Sequence, residues 1–199
     1  MSDRRARQAA RTRDEILGAA RALFAERGYA NTSVKEVAAR ADVSVQTVYD
    51  SVGSKAELVR HLNDHIDAEA GIGQIAMTIP TIDDPHALAA IPARITRALV
   101  EHCGDIVRAT RAAAATDTAL AASAKEGHRR HLDGTRFLAA RLESLDALRP
   151  GLSVEEAAAT IGAITDAWFA LMLVDEYEWS PERVEAWMTA IVERAVLTP

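Results

Sequence analysis

The sequence predicts an all-α protein of about nine helices, on three observations. Alanine, leucine, arginine and glutamate dominate a chain that is 49% apolar; these residues suit helices, and no run alternates as a half-buried strand would. Serine stands three residues before glutamate at Ser33 and Glu36, Ser54 and Glu57, and Ser153 and Glu156, the spacing of a reciprocal capping box at a helix start. Glycine and proline separate the periodic apolar stretches, at Gly28, Gly71, Gly73, Pro150 and Gly151, where helices stop.

A first helix is expected over about Thr12 to Arg27, burying Ile16, Ala20, Leu23 and Phe24 and ending at Gly28. Arg4, Arg5, Arg7, Arg11 and Arg13 form a basic arm, which either lies along phosphates or a minor groove or is a solvated tail. Ser33 opens a second helix with Val34, Val37, Ala38 and Ala41 on one face. Residues 41–44 interrupt it, and Ser44 caps a short third helix over Val45 to about Ser51. A break of three or four residues between two short helices is the plan of a helix-turn-helix DNA reader. In that plan the second helix presents its first residues to the major groove. Ser44, Val45, Gln46 and Thr47 then stand nearest the base edges, Tyr49 one turn on, and Val48 faces the core.

Lys55 begins a fourth helix carrying Leu58, Leu62 and Ile66, read as one long link from reader to body until Gly71 and Gly73 loosen it. Residues 71–83 read as an irregular connection or part of a pocket wall. Asp84 and Pro85 then cap and open a helix to about His102, kinked or divided at Pro92. Gly104 marks a junction before an alanine-rich helix to about Ala115. A long helix follows from Asp117 to Leu148, and another from Ser153 to about Tyr177 with Ile161, Ile164, Trp168, Leu171 and Met172 near one face. Ser180 and Pro181 open the last, with Val184, Trp187, Met188, Ile191 and Val192. These last two helices are apolar over wider arcs than one packing partner requires, which points to a second chain.

The run 16–29, then Thr32-Ser33-Val34, Val37-Ala38, Val43-Ser44, Thr47, Tyr49, Ser54-Lys55 and Leu58 resembles the N-terminal domain of TetR-family transcriptional regulators over about fifty residues. The resemblance implies a reader over 1–54 and a helical effector-binding and dimerisation domain over 55–199. It implies phosphate contacts from Lys55, Thr47 and Tyr49; Lys35 and Ser51 complete the candidate DNA-facing set. It also implies a homodimer through the last two helices on an imperfectly palindromic operator, as a repressor released by a small molecule. A DNA-binding regulator without a small-molecule effector, controlled by a protein partner or acting as an activator, is the alternative. The candidate effector residues are Arg97, His102, Phe137, Thr165, Asp166, Trp168, Phe169 and Tyr177, large or polar side chains on helices expected to face inward. The sequence departs from the family pattern at Asp42 for glycine and at Ser51 and Val52 for bulkier aromatic positions.

Charge follows the same division. Residues 1–60 carry 11 Lys and Arg against 8 Asp and Glu, whereas the whole chain has net charge −6. Phosphate attraction is local, within a Debye length of roughly 8 to 10 Å, so the acidic total is no obstacle. The single Cys103 fits a reducing cytoplasm. No apolar run is read as approaching the ~18 residues of a membrane span, and the arginine-rich start lacks the apolar core of a signal peptide. His61 with His65, and His128 with His131, have metal-compatible spacing without further suitably spaced ligands. No nucleophile elbow, phosphate loop or dinucleotide fingerprint occurs. The expectation is no enzyme, no cofactor and no metal.

Overall fold

Ser33, Ser44, Ser54, Ser153 and Ser180 each accept a backbone N–H in the first turn of the helix they precede, so the caps divide the chain where the sequence expects. The computed structural model describes residues 2–198, with side chains from Arg4 onward. Among these residues the chain is helical, with α1 (Ser2–Arg27), α2 (Val34–Arg40), α3 (Val45–Ser51), α4 (Lys55–Asn63), α5 (Ile66–Glu69), α6 (Ile72–Ala76), α7 (Pro85–Ala114), α8 (Thr118–Ser144), α9 (Val154–Ile164), α10 (Ala167–Tyr177) and α11 (Pro181–Val196). A 3-10 turn, Ile79–Thr81, precedes α7.

Two compact units form: Met1–Ile66 with Asp105–Lys125, and Asp67–Gly104 with Glu126–Pro199. The first is organised around Ile16, Leu23, Phe24, Val37, Val48, Leu58 and Val59, with Ala109, Ala113 and Leu120 completing the core. Arg21 on α1 reaches Asp105 at 2.7 Å, and Asn63 donates to Ser123 at 2.7 Å. The second unit has one cluster around Leu88, Ile91, Leu138, Leu142, Ile161, Val192 and Val196. Another gathers Ala93, Ala170, Leu173, Val184 and Met188.

Four boundaries differ from expectation, each for a local reason. Helix α1 starts at Ser2, ten residues early, because the Ala, Arg and Gln of residues 4–13 are strong helix formers; the basic arm is therefore helical. The fourth helix is not one long link: it stops at Asn63, and Gly71 adopts φ 65° before α6. Conversely, α7 runs unbroken through Pro92 and Gly104. Thr96 Oγ1 lies 3.0 Å from the Pro92 carbonyl. The helix expected over 153–177 divides at Thr165 and Asp166, since Asp166 accepts from the N–H groups of Trp168 and Phe169 and so starts α10.

Within Val154–Tyr177 an 18-residue window reaches a mean hydropathy of 1.7, and the segment meets the length and composition of a membrane span, which corrects the sequence reading that no segment does. The break at Asp166 argues against that role, because a helix interrupted in hydrocarbon leaves backbone groups unpaired. Ala157, Ile161, Ala170 and Leu171 from this segment are buried within the second unit.

Candidate nucleic-acid interface

The turn between α2 and α3 depends on Asp42, which holds φ 53°, a left-handed conformation that Asp tolerates better than most residues. The Val43 N–H returns to the Ala38 carbonyl at 3.0 Å, closing the turn where the family pattern has glycine. Helix α3 then rests on Val48, its one fully buried side chain, and on Val52 just beyond its end. Val52 thus supplies apolar packing in place of the larger ring of the family pattern.

With Val48 facing the core, helical spacing turns Gln46 and Asp50 to the opposite, outermost face of α3. Gln46 Nε2 donates to Asp50 Oδ1 at 2.8 Å. Val45 and Tyr49 flank this stripe and are exposed, Tyr49 at 51%, and Lys35 is exposed on α2. Ser44 is only partly free: its Oγ accepts the Thr47 N–H at 3.0 Å and lies 2.8 Å from Thr47 Oγ1. The Ser51 side chain is half-buried and its carbonyl accepts from Arg13 Nη1 at 3.0 Å.

Lys55 sits differently from the phosphate contact that the resemblance implies. Its ammonium donates to the Tyr29 and Thr32 carbonyls at 2.7 and 2.8 Å and lies 4.1 Å from the Tyr29 ring centroid. Burial lowers its pKa, opposed by Glu36. Two of its three N–H donors thus tie the α1 to α2 turn to the start of α4. Sequence spacing carries no signal of this, since a lysine at a helix start is read equally well as a solvated cation.

Arg13 and His61, neither singled out together by the sequence, form a second tie. Arg13 Nη2 lies 2.9 Å from His61 Nδ1 while Nη1 holds the Ser51 carbonyl, so α1 joins the end of α3 to α4. Burial, then the neighbouring Arg13 and Arg60 guanidiniums, lower the His61 pKa; Asp64 and Glu57 oppose them. A histidine whose folded pKa is depressed contributes stability that is complete above its unfolded value, near 6.5, and is lost as pH falls through the folded value. Urea unfolding measured from pH 7.5 to 5 is therefore expected to show declining stability, and His61→Gln to reduce that decline. An identical decline in His61→Gln would assign it to other groups.

The candidate effector residues do not converge. Phe137 and Trp168 stand on the outer faces of α8 and α10, 55% and 38% exposed, correcting the expectation that these rings face inward; the core sides are taken by Leu138, Leu142, Ala170 and Leu171. His102 and Tyr177 are also exposed. Arg97 is engaged by Glu101, Glu182 and Glu185 at 2.9 to 3.1 Å, and Asp166 caps α10. Phe169 packs on Trp187 with ring centroids 5.9 Å apart. Only Thr165 lies fully inside, its carbonyl 2.7 Å from Thr96 Oγ1. Nearby, His131 Nε2 lies 3.0 Å from the Gly162 carbonyl, a structural use for a histidine the sequence flagged for metal spacing. Among the described residues no group of three or more His, Cys, Asp or Glu could hold a metal ion.

A further surface lies on the C-terminal helices. Ala159 and Ala163 of α9, Trp168 and Met172 of α10, and Ala186 and Ala190 of α11, exposed or half-buried, occupy the sides of their helices away from the buried Ile161, Ala170, Val184 and Met188. Small residues with two large apolar side chains make a face that lets another helix approach closely.

Residues 16–62 match the family model described as bacterial regulatory proteins, tetR family. The HTH-type transcriptional repressor NicS of Pseudomonas putida is 31% identical over 98 residues, 49% of this chain and 46% of that protein. The chain thus spans about half the length of this curated relative. Among solved structures, the fold is shared with the SmeT–triclosan complex at TM-score 0.74 and 23% identity, over 94% of this chain and 92% of that one. SmeT is the repressor of the Stenotrophomonas maltophilia multidrug efflux pump SmeDEF. The fold is also shared with a transcriptional regulator from Saccharomonospora viridis in complex with choline, at TM-score 0.78 and 16% identity, over 96% and 100% of the two chains.

Proposed function

We propose that this chain, whose residues 16–62 match the model of the tetR family of bacterial regulatory proteins, is a cytoplasmic homodimeric transcriptional repressor of that family that reads a palindromic operator and is released by a small molecule. The observation that carries the DNA reading is the exposed stripe of α3, backed by a capped helix and a turn built for it. In this reading residues 1–54 are the reader and residues 55–199 the effector-binding and dimerisation body. The apolar outer face of α9, α10 and α11 supports dimerisation, and a two-fold pair would set half-sites about 34 Å, one helical turn, apart or more.

Effector response draws support from the two ligand complexes that share the fold, SmeT with triclosan and the S. viridis regulator with choline. Its physics is a population shift: a ligand lowers DNA affinity only by its preference for the conformation with misplaced readers. Thr165, buried, and Phe169, half-buried, remain the inner candidates for effector contact; Arg97 and Asp166 are engaged by glutamates and by a helix start, and His102, Phe137, Trp168 and Tyr177 lie nearer solvent. The test is selection from random duplex DNA followed by titration of the selected complex with small-molecule panels. An inverted repeat released by at least one compound supports the reading; absence of any enriched sequence contradicts it.

Lys55→Ala is expected to cost roughly 1 to 3 kcal/mol of stability, because the Thr32 carbonyl loses its donor and the Tyr29 carbonyl keeps only the Thr32 N–H, and to weaken operator binding without changing its salt dependence. Salt slopes of variant and parent measure this directly. A slope flattened by about one unit would return Lys55 to a phosphate.

A further inference from the structure

We infer that Asp50 is a positioning residue that orients the Gln46 amide to read adenine, one position in each half-site. The inference rests on the DNA reading above and goes beyond it to the base and to the residue that enforces the choice. Gln46 and Asp50 lie four apart on α3, on the face opposite the buried Val48. The 2.8 Å bond between Gln46 Nε2 and Asp50 Oδ1 can run in only one direction, since an ionised carboxylate accepts and does not donate. Flipping the amide would set Gln46 Oε1 against the carboxylate oxygen. Its polarity is thus set before DNA arrives, with Oε1 and the second Nε2 hydrogen left over.

One acceptor beside one donor matches a single base in the major groove. Adenine offers the N6 amino donor and the N7 acceptor, whereas guanine offers two acceptors at N7 and O6. Guanine would leave Gln46 Oε1 facing another acceptor with the Asp50 carboxylate close behind. Asp50 therefore favours adenine by holding the amide and disfavours guanine by its own charge. Asp50 also carries a cost, because a carboxylate near phosphates opposes binding to all DNA, so removing it separates affinity from preference.

The experiment is selection of bound sequences from a random duplex library by the full chain and by Gln46→Ala, Asp50→Ala and Asp50→Asn, each checked for folding by circular dichroism. The parent is expected to enrich an inverted repeat with adenine at one position per half-site, preferred roughly 5- to 150-fold over guanine, the range of a bidentate contact. Gln46→Ala and Asp50→Ala should lose preference at that same position, while Asp50→Ala holds or gains affinity for random duplex. Asp50→Asn, whose carbonyl can still accept from Nε2 but whose amide can also flip and donate to Oε1, should restore it only in part. Failure of the parent to enrich any sequence would overturn the DNA reading itself. An enriched site in which Asp50→Ala keeps the parental preference overturns the inference alone. So does a cytosine preference lost with Asp50 but kept without Gln46, which would make Asp50 the reader.

Discussion

Ala163→Arg is expected to leave the protein folded but monomeric and to lower its affinity for a palindromic duplex by about 100-fold or more. Ala163 is exposed on the outer face of α9, so in a lone chain the substitution falls in the surface class, within about 0.5 kcal/mol. In the proposed dimer the same position meets a partner helix, where a buried guanidinium without a counter-ion is strongly unfavourable. Two readers on one dimer gain affinity because binding of the second is intramolecular, an effect of roughly 10² to 10⁴. The matching substitution Ala186→Arg on α11, at an exposed position, should act alike, while Ala122→Arg, also exposed, should not. Sedimentation equilibrium combined with a duplex titration checks both halves of the expectation.

Val48→Asp is expected to abolish sequence-specific binding by unseating α3. Val48 is fully buried and is the only buried residue within that seven-residue helix. So short a helix holds its shape only through packing, and a carboxylate placed there loses hydration with no partner. The cost is about 4 kcal/mol or more, a large part of the total stability of a typical domain. Val48→Ala removes only two methyl groups and should cost roughly 1 to 3 kcal/mol, leaving weakened but still selective binding. Chemical denaturation and operator titration of the pair would show the gradation; equal behaviour of Val48→Asp and parent would mean that α3 is not held through Val48.

The reader was legible because short-range chemistry dominates it. Ser33, Ser44 and Ser54 cap their helices within three residues, and Asp42 takes the left-handed turn at the position where the pattern departs from glycine. Where packing overrides local preference, the sequence misleads. Gly104 reads as a junction but is a buried helical residue of α7, and Asp166 is a cap hidden within an otherwise apolar period. The roles of long side chains were least legible. Lys55 reads as a phosphate ligand yet bonds backbone carbonyls, and Phe137 reads as an inward ring yet stands on the surface. Periodicity locates a helix face only after its neighbours are known, and the α9 to α10 break shifts the register on which Trp168 was placed. The pairing of Gln46 with Asp50 was available from i, i+4 spacing alone, but its direction needed the carboxylate chemistry to be considered together with the amide.

The claim that this chain reads DNA as a two-fold pair is tested most directly by stoichiometric titration of its selected palindromic duplex beside the isolated half-site, at physiological salt. The account predicts two chains per palindrome and a half-site bound at least about 100-fold more weakly. One chain per duplex, with palindrome and half-site bound equally well, would contradict it.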